Sequence, residues 1–235
     1  MLGMAFLLGV GALLQTEPSE AAVQPVTALP DLLAARRKPA VTAESRTRHN
    51  APSGFDEATY VAGDGARALA QFKDAVDRNP DNAQALTSLG LMLVRLQRTE
   101  EALPHLHRAI ALEPNKATYR VNLANALAQL NRLKEAVEAY REAQRIQPSD
   151  PITAFHLAAT LQKMGEYAAA VEAFQKAISL DRADAGSRLG LARSYDALNR
   201  WPEAIEAYNA YLQLAPSAPD AHQVRTRIGQ LTTQP

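Results

Sequence analysis

The sequence predicts an all-α protein in which antiparallel helix pairs stack into an α-solenoid that ends in a capping helix. Prolines recur at an interval of 34 residues, at Pro80, Pro114 and Pro148, and the series returns to Pro216 after Arg182 takes the intervening position. Each interval holds two stretches of apolar residues at helical spacing. A period of this length is typical of stacked helix pairs, because one pair cannot bury its apolar face alone.

Three further columns keep the same interval, and each predicts a packing role. Alanine stands near the start of every second helix, where a larger side chain would overpack the contact between two backbones. A large ring or a leucine follows four residues later and faces a leucine or phenylalanine column in the first helix. The columns are Ala68, Ala102, Ala136, Ala170 and Ala204; Phe72, Leu106, Tyr140, Phe174 and Tyr208; and Phe55, Leu89, Leu123, Leu157 and Leu191.

The composition excludes several classes of function. The 235 residues include 25 basic and 25 acidic side chains, so the chain is neutral and has no basic footprint for nucleic acid. It contains no cysteine, which excludes disulfides, thiol catalysis and thiolate metal sites.

Residues 1–21 are interpreted as a signal peptide or a short membrane anchor. Leu2 to Leu14 is a continuous stretch of apolar residues and glycine, shorter than the roughly 20 residues of a membrane span and matching a secretory apolar core. Ser19 and Ala21 are small residues at the spacing that a signal peptidase reads. No Lys or Arg precedes the stretch, so an apolar tail on a cytoplasmic protein stays as the alternative. We expect an exported, periplasmic or membrane-anchored protein.

Residues 22–54 are predicted to be a disordered linker. Pro25, Pro30, Pro39 and Pro52 interrupt this segment, and no helical or strand period persists in it. Residues 32–50 are locally basic, which would attract an acidic surface such as anionic lipid. A solvated tether is the simpler interpretation.

From about residue 50 to residue 216 the chain resembles the tetratricopeptide repeat family, and the predicted array with its capping helix occupies residues 55–235. The resemblance rests on the 34-residue period, the alanine and proline columns, and a paired motif at Leu89-Gly90, Leu123-Ala124, Leu157-Ala158 and Leu191-Ala192. It implies a right-handed superhelix with repeats at 83–116, 117–150, 151–184 and 185–218, after a degenerate repeat at 55–82. The apolar stripe that follows Pro216 predicts a capping helix at 219–232.

No arrangement of residues points to catalysis. Phosphate-loop, nucleophile-elbow and H-E-x-x-H motifs are absent from the sequence. His105 and His107 lie two residues apart, which places them on different faces of a helix, whereas a metal pair needs a spacing of three or four. We therefore expect no enzyme activity and no catalytic, cofactor-binding or metal site.

The functional surface that the resemblance implies is a concave groove lined by the first helices. Matching positions assign to it Thr87, Leu91, Val121, Asn125, Phe155, Ala159, Leu189 and Arg193. Packing between repeats is an equal alternative for Leu91 and Leu189. The charged clamp with which some family members hold an acidic C-terminus is absent, because its positions carry Thr87, Leu91, Asn122, Ile152 and His156. A mixed apolar lining with few charges favours a hydrophobic protein segment or a partner helix.

The sequence thus predicts a non-catalytic scaffold or adaptor that binds a protein or peptide segment, in an exported assembly or one tethered to a membrane through the N-terminus. The alternative, from another class of function, is that the chain is an accessory subunit of an enzyme system such as protein glycosylation, with catalysis on another chain.

Overall fold

The computed structural model describes residues 65–233, and within that range it consists of α-helices joined by short turns. The helices are α1 (Gly65–Arg78), α2 (Ala83–Arg95), α3 (Thr99–Leu112), α4 (Ala117–Gln129), α5 (Leu133–Ile146), α6 (Pro151–Lys163), α7 (Tyr167–Leu180), α8 (Ala185–Ala197), α9 (Trp201–Leu214) and α10 (Ala221–Thr232). The predicted all-α fold with a capping helix is confirmed. None of the helices in this range is long and apolar enough to span a membrane.

The helices form two layers. Each first helix (α2, α4, α6, α8) packs against its own second helix (α3, α5, α7, α9) and against the second helix of the preceding repeat. α2 also contacts α4, and α6 contacts α8, whereas no comparable contact joins second helices in residues 65–233. The first helices therefore lie closer together than the second helices do, so the array curves toward the first-helix layer.

Side chains in the turns start several of the first helices. Asn82 Oδ1 accepts a hydrogen bond from the Ala85 backbone N–H at 3.0 Å, and Asp150 accepts from the N–H groups of Ile152 and Thr153, both at 3.1 Å. Asp184 accepts from the Gly186 N–H at the start of α8. These side chains satisfy N–H groups that have no partner inside the helix.

All four first helices end in the same backbone motif. The second residue after each helix has a positive φ: 61° at Gln97, 58° at Asn131, 80° at Gly165 and 56° at Asn199. The N–H of the following residue donates back into the helix, as from Arg98 to the Leu93 carbonyl at 2.9 Å. This is the Schellman closure, which satisfies otherwise orphaned carbonyls. The 34-residue period thus includes a left-handed residue that the apolar columns do not reveal.

Opposite substitutions at Gln97 and Gly165 test the left-handed position that follows each first helix. The left-handed conformation costs a side chain with a Cβ about 1 kcal/mol, and glycine adopts it freely. We expect Gln97→Gly to raise the free energy of unfolding by about 0.5–1 kcal/mol. Gly165→Gln should lower it by a similar amount, because a Cβ added at Gly165 has no atom within 4 Å and its cost is conformational alone. Urea denaturation measures both; a change in the same direction for the two variants would contradict the assignment.

Three second helices begin with an ion pair between an arginine and a glutamate three residues later. The pairs are Arg98–Glu101 at 2.6 Å, Arg132–Glu135 at 2.7 Å and Arg200–Glu203 at 2.6 Å. The hydrogen bond from the Arg98 side chain lowers the pKa of Glu101 from its ordinary value. Each glutamate also lies in the first turn of its helix, where the helix dipole favours a negative charge. α7 differs, since Glu166 and Ala169 occupy the two positions.

The repeating columns form the core. Ala102, Ala136, Ala170 and Ala204 are fully buried, and so are the large residues Leu106, Tyr140 and Phe174 of the next column. Among the described glycines, Gly190 on α8 leaves the least room for a side chain, because it faces Phe174 on α7. A Cβ built at Gly190 would lie 2.2 Å from Phe174 Cζ. This contact depends on a residue without a side chain, which makes Gly190 a structural glycine.

The ends of the array differ from its middle. At the N-terminal end, α1 supplies the second helix of the degenerate repeat predicted at 55–82; the first half of that repeat, the predicted signal or anchor at 1–21 and the linker at 22–54 lie outside the described residues. At the C-terminal end, α10 packs on α9 and buries Ala221, Val224 and Leu231. Ile228 is partly buried against the same core, and the other positions are polar or glycine, which is the pattern of a helix that covers the last pair.

Candidate protein-binding face

Every first helix presents the same stripe of residues on the concave side. The stripe consists of the second, sixth, ninth and thirteenth residue of each helix, a spacing that places four side chains on one helical face. We call these positions on α2, α4, α6 and α8 the first-helix face. Its members are Gln84, Ser88, Leu91 and Arg95; Thr118, Asn122, Asn125 and Gln129; Ile152, His156, Ala159 and Lys163; and Gly186, Gly190, Arg193 and Ala197.

The N-terminal half of this face is open to solvent. Leu91 on α2 is 37% exposed and Ile152 at the start of α6 is 49% exposed. Between them, α4 contributes Asn122 and Asn125, both partly exposed. Two exposed aliphatic side chains on either side of uncharged amides form a surface that can accept both apolar and hydrogen-bonding groups of a ligand.

The structure separates the eight residues that sequence matching assigned to the groove. Leu91 is exposed, and Val121, Asn125 and Arg193 are partly exposed. Thr87, Phe155, Ala159 and Leu189 are buried, with Phe155 at 0% and Leu189 at 1%. These four residues belong to the packing between helices and offer no surface to a partner in this structure. The binding role of the exposed residues stays a prediction.

The physical reason lies in the fifth position of each first helix. Thr87, Val121, Phe155 and Leu189 share this position, one turn before the ninth residue, and all of them except Val121 are buried. Phe155, for example, packs edge to face with Phe174 at a centroid distance of 6.2 Å. The sixth position is the more accessible one in the second and third repeats, where Asn122 and His156 are partly exposed.

In the third and fourth repeats the face is filled by the protein's own side chains. The buried Gln162 amide on α6 donates to the Gly190 carbonyl at 2.8 Å and to Ser194 Oγ at 2.7 Å, both on α8. Gly186 and Gly190 are themselves buried. These contacts join α6 to α8, where Ala159, Gly186 and Gly190 of the face are buried. Sequence reasoning missed Gln162, although a glutamine within an apolar stretch is the signal that could have indicated it.

Residues of the capping helix α10 and of the turn before it form ion pairs with two charged residues of α8. Arg227 on α10 forms a bidentate pair with Asp196, at 2.8 Å and 2.7 Å. Arg193 lies 3.7 Å from Asp220, which also accepts a hydrogen bond from the Tyr211 hydroxyl. Arg193, predicted to line the groove, is therefore engaged within the fold. We call the stretch from α2 to the start of α6, which carries the exposed aliphatic residues Leu91 and Ile152, the open part of the first-helix face. Lys163 and Ala197, at the C-terminal ends of α6 and α8, are exposed as well.

Asn125, in the open part of the face, contacts a buried tyrosine. The Tyr140 hydroxyl donates to Asn125 Oδ1. Tyr140 is fully buried and its ring stacks on His156 at a centroid distance of 6.0 Å. Burial raises the pKa of the Tyr140 hydroxyl, which therefore stays protonated and remains a hydrogen-bond donor.

Two shallow depressions lie away from this face, beside α5 and the turn between α6 and α7. The larger has a volume of about 450 Å³ and is lined by Asn131, Arg132, Leu133, Lys134, Glu135 and Met164. Its lining mixes both signs of charge around one methionine. Among the described residues no group of three or more histidine, aspartate and glutamate side chains is arranged to hold a metal ion.

Solved structures with the same architecture are helical repeat proteins. A crystal structure of MamA superposes with a TM-score of 0.63 at 21% identity, covering 66% of this chain and 90% of that chain. MamA from Desulfovibrio magneticus RS-1 gives 0.59 at 23% identity, covering 64% and 83%. YrrB, described as a TPR protein with an unusual peptide-binding site, gives 0.60 at 21% identity, covering 70% and 83%. At these identities the likeness establishes the fold.

Family models give the assignment by sequence. One model described as tetratricopeptide repeat matches residues 58–104 and 93–151, and a second with the same description matches residues 161–228. Comparison with curated proteins finds no match. The matched segments include each of the described helices at least in part and together span more than half of the sequence. The chain therefore belongs to the tetratricopeptide repeat family, whose stacked helix pairs serve as protein-interaction scaffolds.

Proposed function

We propose that the chain is a non-catalytic scaffold that binds a protein segment along the open part of the first-helix face. The observation that carries this proposal is the exposure of Leu91 and Ile152 beside the amides of α4, on the concave side of a family fold built for protein binding. The filled third and fourth repeats restrict the contact to α2, α4 and the start of α6. The peptide-binding site named for YrrB, a protein of the same fold, is consistent with this use of the array.

Leu91 and Leu112 provide a matched test of the proposed face. The two leucines are 37% and 38% exposed, but Leu91 lies on the first-helix face and Leu112 on the second helix α3. Leu91→Glu places a charge where an apolar segment would bind, and we expect it to weaken binding at least tenfold. Leu112→Glu should leave affinity unchanged, and both variants should fold, because neither position is buried.

The measurement uses the full chain against a displayed library of short random peptides, followed by titration of the selected peptides. Capture of proteins from a lysate provides a second readout. The proteins that count are those that bind the wild-type chain and Leu112→Glu but not Leu91→Glu. Equal binding by the two variants would contradict the placement of the partner site on the first-helix face.

We further propose that this scaffold works in an exported assembly or one tethered to a membrane. Support comes from the apolar stretch Leu2 to Leu14 and the basic segment that follows it in the sequence. Fusion of residues 1–60 to a reporter enzyme that is active only outside the cytoplasm tests this directly. Reporter activity is the expected result, and a soluble cytoplasmic fusion would exclude export by this segment.

A role as the accessory subunit of an enzyme system, such as protein glycosylation, would use the same face. The uncharged hydrogen-bonding stripe of α4 favours it, because such side chains suit a partner chain presented in extended form. Copurification of a transferase with wild-type chain, and its loss with Leu91→Glu, would distinguish this role from a structural adaptor.

A further inference from the structure

The turn between α6 and α7 departs at four positions from the turns inside the other three repeats. Those repeats carry a leucine, then a glutamine or asparagine, then an arginine, with a glutamate three residues after the arginine. The third repeat carries Met164, Gly165, Glu166 and Ala169 at the same positions. It therefore lacks the ion pair that begins the other three second helices, and its turn presents a different surface.

The two shallow depressions beside α5 meet at this turn. Both are lined by Lys134, Glu135 and Met164, and the smaller one, with a volume of about 300 Å³, extends to Glu166. We call the two together the third-turn depression. A Cβ added at Gly165 would have no atom within 4 Å, so the backbone beside Met164 is open to another chain.

Two opposite charges in this depression have no ion-pair partner. The other four charged residues of the lining pair among themselves at 2.7 Å and 2.8 Å, Arg132 with Glu135 and Arg141 with Glu138. Lys134 and Glu166 are both exposed, and within residues 65–233 neither forms an ion pair. An ammonium group and a carboxylate in this situation can each take a charge of opposite sign from a partner.

The preceding repeat indicates that Lys134 and Glu166 face each other across the depression. The pKa of Arg132 is raised by its hydrogen bond to Glu135 and also by the nearby charge of Glu100 on α3. One repeat later, Lys134 stands in place of Glu100 and Glu166 in place of Arg132, so the two signs are exchanged. The charged atoms of Lys134 and Glu166 lie more than 4.0 Å apart, which leaves a gap between them.

The surface between the two charges is apolar. Leu133 and Met164 are partly buried, and Val137 is 3% exposed. The unbranched thioether of Met164 can adapt to apolar side chains of different shape. A small-molecule site encloses most of its ligand, whereas this depression is shallow. Its form and its charges suit side chains that project from the surface of another protein.

We propose that the third-turn depression is a second protein-contact site, which binds a segment whose apolar side chain lies between a basic and an acidic side chain. The apolar side chain packs on Met164, the basic one pairs with Glu166 and the acidic one pairs with Lys134. Because the depression lies away from the first-helix face, this site is independent of the proposed function. The chain can thus hold two partners at once.

The experiment starts from a displayed library of short random peptides, selected on the full-length wild-type chain. The variant Lys134→Glu/Glu166→Lys is present in solution as a competitor; it has the same net charge and an unchanged first-helix face, so it removes peptides that bind elsewhere. We expect the selected peptides to share an apolar residue with one basic and one acidic residue within four positions, on opposite sides of it. Selection of no such peptide would overturn the proposal.

Titration of a selected peptide tests each charge contact separately. Glu166→Gln and Lys134→Gln should each weaken binding about threefold, the effect of one exposed ion pair. Replacement of the basic residue of the peptide by glutamine should then cost nothing more in Glu166→Gln, and replacement of its acidic residue nothing more in Lys134→Gln. Glu172→Gln, at an exposed glutamate of α7, is the matched control and should leave affinity unchanged. A further threefold loss in either matched combination would contradict the assigned contacts.

Methyl resonances of two methionines locate the bound peptide. Met164 lines the depression, whereas Met92 is buried on α2 next to Leu91 of the first-helix face. In the full-length chain with ¹³C-methyl methionine, the peptide should shift the Met164 resonance and leave that of Met92 unchanged. A shift of Met92 alone would place the peptide on the first-helix face, so the proposal would fail while the proposed function stands.

Free leucine is the probe for a different occupant, because it carries both charges and an apolar side chain in one small molecule. We expect it to leave the Met164 resonance unchanged at concentrations that saturate the chain with the selected peptide. Saturation of a Met164 shift by leucine at those concentrations would identify a small-molecule site and overturn the assignment to a protein segment.

Discussion

Gly190→Ala is expected to lower the free energy of unfolding by about 3 kcal/mol, although alanine is the better helix former. The added Cβ would lie 2.2 Å from Cζ of Phe174, and also 2.4 Å and 2.7 Å from the two Cε atoms of the same ring. Phe174 is fully buried and packs against Phe155, so its ring has no free space into which it can move. Urea denaturation of the wild-type chain and of the variant measures the difference.

A second substitution tests the cause of that effect. Phe174→Leu removes the clashing ring atoms and should by itself cost about 1–2 kcal/mol as a cavity. In the Gly190→Ala background it should instead restore stability, giving a favourable coupling of about 2 kcal/mol. Gly90→Ala provides a graded comparison, because its Cβ would lie 2.8 Å from Cδ2 and 2.9 Å from Cγ of Leu106, longer distances than those to the Phe174 ring, and it should cost less. Additive losses in the double variant would show that the ring contact is not the reason for glycine at position 190.

Val224→Asp is expected to detach α10 and to lower the free energy of unfolding by about 3 kcal/mol. Val224 is buried and belongs to the same apolar core as Tyr208 and Tyr211 of α9. A carboxylate there must leave the core, and the helix must leave with it. Because stability in a repeat array depends on nearest neighbours, the loss should be largest in the last repeat.

Hydrogen exchange measures where the structure opens. In Val224→Asp the amides of α9 and α10 should exchange faster, while those of α2 and α4 should keep their protection. Gly229→Ala is the control in the same helix: an added Cβ has nothing within 4 Å, so the gain in helix propensity should stabilise α10 by about 0.5–1 kcal/mol. Uniform loss of protection along the whole array would contradict a locally attached cap.

The sequence did not predict which residues of the binding face are exposed and which are buried. Leu91 and Leu189 are the same residue type in neighbouring positions of equivalent helices, yet one is 37% exposed and the other 1% exposed. Sequence matching placed both in the groove, with packing as an equal alternative. The difference arises from their positions: Leu91 is the ninth residue of α2, whereas Leu189 is the fifth residue of α8, a position that is also buried at Phe155.

The sequence by itself determined the class of fold, the family and the order of helix pairs. The reason is that stacked helix pairs require alanine, leucine and aromatic residues at a fixed interval. It also predicted the capping helix from a single apolar stripe. Only the tertiary structure decided which part of the first-helix face is open and which buried side chain Asn125 contacts. Those properties depend on side chains far apart in sequence, such as Asp196 with Arg227 and Gly190 with Phe174, and helical periodicity carries no information about such pairs.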